Sequence, residues 1–132
     1  QNVVNNAGAA YVFTESNGTW QQTQKLVPTD RAEWDNFGGS VALSGTTLVV
    51  GAVGEGEDAD GGNTLEFAGA AYVFEKVGGT WQQTQKLVAA DRAQYDEFGR
   101  SVALSGSTLV VGVSRNSTDA GGQNFVLDAG VA

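Results

Sequence analysis

The chain has 132 residues, fifteen acidic against seven basic side chains, a net charge of −8, and no Cys, His or Met. Without His or Cys there is no zinc site, haem ligand, thiol nucleophile, disulfide or Ser-His pairing, so any catalysis would fall to carboxylates, Tyr, Lys or Arg. The negative charge repels phosphate backbones and anionic membrane surfaces, and no apolar run approaches the ~20 residues of a spanning helix, so neither nucleic acid nor membrane insertion is expected.

The first expected strand is Ala10-Tyr-Val-Phe13. It is apolar on both faces, as a strand enclosed between two layers should be. Asn17-Gly18 supplies the positive φ angles of a tight hairpin turn and leads into Thr19 to Leu26. That second strand is largely polar, which suits an outer position, with Lys25, and Lys86 at the matching place in Thr80 to Leu87, blunting an exposed edge. A loop, Asp30-Arg-Ala-Glu-Trp-Asp-Asn36, then reaches Phe37-Gly38. Ser40 to Leu43, a Ser44-Gly45 turn and Thr47 to Val50 give two more strands, before a long, Gly-rich, acidic loop from Val53 to Ala68.

From there the chain says everything again. Gly8-Ala-Ala-Tyr-Val-Phe13 returns as Gly69 to Phe74, Thr19 to Val27 as Thr80 to Val88, and Ser40 to Gly45 as Ser101 to Gly106, each offset by 61 residues. A fixed period of this size marks a repeat architecture whose units do not bury their apolar faces alone. Small side chains in Ser40-Val-Ala suit a crowded central axis, whereas Trp and Gln suit the periphery. The fold class expected is all-β: four-stranded antiparallel β-propeller blades, written as two 61-residue repeats in circularly permuted phase. Residues 1–38 form an outer half-blade and the loop that follows it, 39–99 a complete blade, and 100–132 an inner half-blade with the start of a third repeat. Counted outward, the complete blade runs Ser40 to Leu43, Thr47 to Val50, Ala71 to Phe74 and Thr80 to Leu87. The tail from Gln123 is in register with Gln1, and with no Met present the expectation is a processed chain or a stretch of a longer one.

Phe37-Gly38 through Gly51-Ala52, and Phe98-Gly99 through Gly112, resemble the FG-GAP repeat of integrin-type propellers. The fuller pattern, from Asp-x-x-x-x-Asp-x-Phe-Gly to Gly-Thr-Trp, is more similar to the FG-GAP repeats of bacterial extracellular proteins. Val53 and Ser114 stand where the motif's Pro would be. The resemblance implies a propeller at or outside the cell surface. Integrin-type repeats hold calcium between their first two strands, but Leu43 to Thr47 and Leu104 to Thr108 carry no carboxylate, so that site does not transfer.

Four groups of side chains remain as candidates. The acids Glu55, Glu57, Asp58 and Asp60 have the oxygen-rich, flexible setting that calcium prefers; the alternative is a solvated acidic loop. Their counterpart loop keeps Asp119 alone among the acids. Asp30 with Asp35, and Asp91 with Asp96, recur in both copies, which points to structural loop carboxylates that accept backbone N–H bonds, with metal coordination as the alternative. Trp34 and Tyr95 would stack on a sugar or pack between blades, and Trp20 and Trp81 would pack between outer strands. Asn17-Gly-Thr19 and Asn116-Ser-Thr118 match the glycosylation acceptor pattern.

The function expected is a non-catalytic, extracellular structural or adhesion module. Its partner is itself, joined head to tail by β-strand complementation into a propeller ring or filament, or as a longer tandem chain, with Gly54 to Phe67 and Ser114 to Asn124 presented to a glycan or protein surface. The alternatives are a carbohydrate-binding propeller and a calcium-dependent adhesin; no other cofactor is expected.

Overall fold

The computed structural model describes residues 3–116, and every regular element in them is a β-strand. The strands are β1 (Ala10–Ser16), β2 (Thr19–Leu26), β3 (Phe37–Ser44), β4 (Thr47–Ala52), β5 (Ala70–Val77), β6 (Thr80–Leu87), β7 (Ser101–Ser105) and β8 (Thr108–Gly112). They form a two-stranded sheet β1-β2, a four-stranded sheet β3-β4-β5-β6 and a two-stranded sheet β7-β8, with every neighbouring pair antiparallel. The middle sheet is one blade with its strands in the expected order, flanked by an outer pair and an inner pair. β3 begins at Phe37, ahead of the blade start expected at 39, because Phe37 pairs with Ala52 across an irregularity that ends at Ser40. The start of a third repeat at 123–132, Asp119, and the rest of the second variable loop beyond Asn116 lie outside the described residues.

Local chemistry accounts for these elements. Asn17 and Gly18 both take positive φ (53° and 80°), the primed-turn geometry that matches strand twist, and they close β1 onto β2. Gly69 is fixed by a close approach: at φ 89°, any Cβ would collide with the Phe98 backbone, to which Gly69 is joined by a parallel bridge.

The core gathers on one face of the middle sheet. Leu48, Val50, Tyr72, Phe74 and Trp81 pack with Phe37 and with Leu26 from β2, and Phe37 meets the Tyr72 and Phe74 rings edge-on at 5.6 and 6.1 Å. Val49 and Ala71 are fully buried as well, and the β7-β8 pair packs on the middle sheet. β5 is thus enclosed on both faces, as its sequence predicts. β1 is not, although it carries the same Ala-Tyr-Val-Phe: Tyr11 and Phe13 are about half exposed, because among the described residues β1 has no strand on its second edge.

Candidate functional site

The loop before each blade has a fixed shape. Asp35 Oδ2 accepts the Ala32 N–H at 2.7 Å, and Asp96 Oδ2 accepts the Ala93 N–H at 3.0 Å, so each carboxylate ties its own loop three residues back. Each loop then zips against the segment that leads into the third strand of the preceding blade. Trp34 N–H, Asn36 N–H and Phe37 N–H donate to the carbonyls of Asn5, Asn6 and Ala7; Tyr95, Glu97 and Phe98 repeat this on Glu66, Phe67 and Ala68. These bonds hold Trp34 and Tyr95 at φ 71° and 67°, a conformation that an aromatic residue rarely adopts.

Behind the first loop lies a buried polar network. Lys86 Nζ sits 2.8 Å from Asp30 Oδ2 and 3.3 Å from Glu55 Oε2. The Tyr72 hydroxyl is 2.9 Å from both Asp30 Oδ1 and Glu55 Oε2, so its proton is shared between two acceptors. Burial draws the Asp30 carboxyl upward, but the bonds from Lys86 and Tyr72 and the Lys86 charge outweigh it and leave the pKa lowered. Asp35 has no such cation in contact: burial, with Glu55 and Asp30 nearby, pushes it up to about 6 against the bond from Ala32. Tyr72 is raised by burial and by the Glu55 charge. Burial likewise raises Asp96, whose Oδ2 also accepts from Asn116 Nδ2 at 3.1 Å.

Two sequence expectations change here. Lys86 does not blunt an exposed edge; its side chain is 7% exposed and turned into the network, because Glu55 and Asp30 converge on the inner side of β6. Glu55 does not share a cation loop with Glu57, Asp58 and Asp60, since it is buried beneath Tyr72 and caps the Glu57 N–H at 2.7 Å. Asp58 accepts from Asp60 N–H, Gly62 N–H and Asn63 Nδ2, which closes its own turn; the Gly62 bond, then Asn63, lowers its pKa. Among the described residues no three acidic side chains come together as metal ligands. Arg92 braces this loop from below, donating to the carbonyls of Asn63 and Gly56.

The aromatic pair also divides. Tyr95 stacks on Phe67 at 6.0 Å and 16° and donates its hydroxyl to Glu66, a bond that raises its pKa. Trp34 has Asn6 where Tyr95 has Phe67, and it stays 53% exposed at the mouth of a cleft of about 290 Å³ lined by Glu33, Asp35, Glu57, Glu66 and Phe67. Trp81 is buried against β2, its backbone exchanging two bonds with the Gln24 amide, whereas Trp20 is exposed. Asn17 lies at the exposed β1-β2 turn; Asn116 is buried, and the Ser and Thr that complete its acceptor pattern lie outside the described residues.

None of this constitutes an assembled reaction centre. What recurs is a mode of joining, in which the loop that links one blade to the next is bonded to the segment leading into the third strand of the blade it has just left. A search of the curated proteins finds no match for the chain. The family model for the FG-GAP repeat matches residues 20–74 and again 81–126, each span containing one Phe-Gly loop and the inner strand pair after it. The chain therefore belongs to the FG-GAP repeat family, whose repeats build β-propeller-type adhesion or binding modules.

Proposed function

We propose that this chain is a non-catalytic, extracellular or cell-surface scaffold that joins head to tail with further copies of itself by strand complementation. The observation that carries this reading is the pairing of β4 with β5 in the middle blade. There Leu48, Val49 and Val50 oppose Phe74, Val73 and Tyr72. β8 repeats β4 as Thr108-Leu-Val-Val-Gly112, and β1 repeats β5 as Ala10-Tyr-Val-Phe13. Each has one edge with no partner among the described residues. Transposing the register sets Leu109 opposite Phe13 and Val111 opposite Tyr11. Unpaired edges of matching sequence are templates for this kind of association. About three or four copies would complete a ring of ordinary propeller size, and failure to close would give a filament.

Light scattering followed by electron microscopy tests the reading. Discrete particles of a few chains, or filaments, are expected; a chain that stays monomeric at high concentration would sink it. The cleft beside Trp34 supports a second reading, a sugar-binding module, because an exposed indole flanked by carboxylates offers both a stacking face and hydroxyl acceptors. Glycan binding lost in Trp34→Ala, with assembly unchanged, would favour that reading.

A further inference from the structure

The network around Lys86 joins two parts of the chain about Glu55 of the loop between β4 and β5, a residue whose counterpart one repeat on is Asn116. The Asp30 carboxylate comes from the loop preceding the blade, while Tyr72 and Lys86 face each other as partners on β5 and β6. The second part is present once more, earlier in the chain. Tyr11 and Lys25 are register partners on β1 and β2, and Lys25 Nζ lies 5.6 Å from the Tyr11 ring centroid, against 5.7 Å for Lys86 over Tyr72. Here the pair is exposed rather than enclosed. The first part is also repeated, later in the chain, as Asp91 in a loop with the same backbone anchors.

We propose that Tyr11 and Lys25 are one half of a polar latch, and that the other half is the Asp91 carboxylate of a second copy of this chain seated on β1. The inference rests on the β1-β8 pairing proposed above and specifies the side-chain contact that accompanies it. The middle blade is its template, because the loop that holds Asp30 leads directly into β3, the strand that pairs with β4. In a second copy the loop that holds Asp91 leads into β7, the partner of β8. Once β8 pairs with β1 in the transposed register, that loop falls beside Tyr11 and Lys25 as Asp30 falls beside Tyr72 and Lys86.

An apolar groove supports the same occupant. Tyr11, Val12, Phe13, Val41, Leu43 and Leu48 line an opening of about 300 Å³ next to the β1 edge. Its counterpart lies between the middle sheet and the β7-β8 pair, where Thr47 and Val49 of β4 stand with Val73 across from Leu104 and Leu109. Moved back by one repeat, the places of Thr47 and Val49 are taken by Thr108 and Val110 of the second copy, over Leu43 and Leu48. Val110 is half exposed and apolar, as a residue awaiting that contact should be.

The test is sedimentation of the full chain and of two charge reversals, Lys25→Glu and Asp91→Lys, each first checked for an unchanged circular dichroism spectrum and melting profile. Each variant alone places like charges at every junction and should weaken association about tenfold or more. In an equal mixture, alternation of the two variants places opposite charges at every junction of a filament or four-copy ring, and at two of the three junctions of a three-copy ring, and should restore association. Association of the single variants equal to that of the unchanged chain would overturn the latch while leaving strand pairing intact, as would a mixture no better than the weaker variant. An unchanged chain that does not associate would overturn both.

Discussion

Lys86 Nζ and Asp30 Oδ2 stand 2.8 Å apart, a contact that binds the outer strand of one blade to the loop that precedes it. Removing the ammonium leaves the Glu55 carboxylate buried without its cation. Lys86→Met should therefore destabilise the chain by about 3 kcal/mol in urea unfolding, since breaking a buried ion pair costs more than its net contribution suggests. Lys25→Met, with the same neighbours in sequence but an exposed side chain, should change the unfolding of the isolated chain by less than about 0.5 kcal/mol.

Asp35 sets the opposite pH dependence from Asp30. Its folded pKa, about 6, lies above the ordinary 3.8, so its contribution to stability is present below 3.8 and lost as pH rises through 6. Above that, an ionised Asp35 sits near Glu55 and Asp30. Asn in its place keeps an oxygen for the Ala32 N–H and carries no charge. Asp35→Asn should raise the melting temperature by roughly 5 °C at pH 8, with the difference vanishing near pH 4. Asp30, whose pKa is lowered, contributes above 3.8 and loses that contribution as pH falls.

Gly69→Ala should be far more damaging than Gly18→Ala. Both glycines have positive φ, but Gly69 faces the Phe98 backbone while Gly18 has open space around it. The left-handed conformation alone costs Ala about 1 kcal/mol, which is the loss expected at Gly18. At Gly69 the collision adds to it, and loss of cooperative unfolding is the expected readout.

Chelation should leave the melting temperature unchanged. The Asp58 carboxylate already takes three hydrogen bonds from its own loop, and Glu55 is occupied by Tyr72 and Lys86. A shift of several degrees on adding calcium, measured by calorimetry, would contradict that assignment of roles.

The 61-residue period, the hairpin dipeptides and the alternation from apolar to polar strands were enough to read the blade and its strand order from sequence. The Lys86 network was not legible in the same way. Gln-Lys-Leu reads identically at Lys25 and Lys86, and burial is decided by Glu55 and Asp30, which lie far off in sequence. One signal was available: Tyr72 stands in the otherwise apolar, enclosed run Ala70 to Phe74, and a buried phenol calls for a polar partner. Likewise Trp34 and Tyr95 look equivalent until Asn6 and Phe67 are compared, for only Phe67 offers a ring to stack on.

One hexapeptide, Gly-Ala-Ala-Tyr-Val-Phe, occurs here in two settings, with its tyrosine half exposed in β1 and shut inside a blade in β5. The molecule thereby carries its own internal control. Amide hydrogen exchange compared between Val12 and Val73, identical in side chain and immediate neighbours, reads out the protection conferred by surrounding strands without altering a single residue. On assembly the two rates should converge, so the slower of them calibrates how completely a newly joined blade has closed.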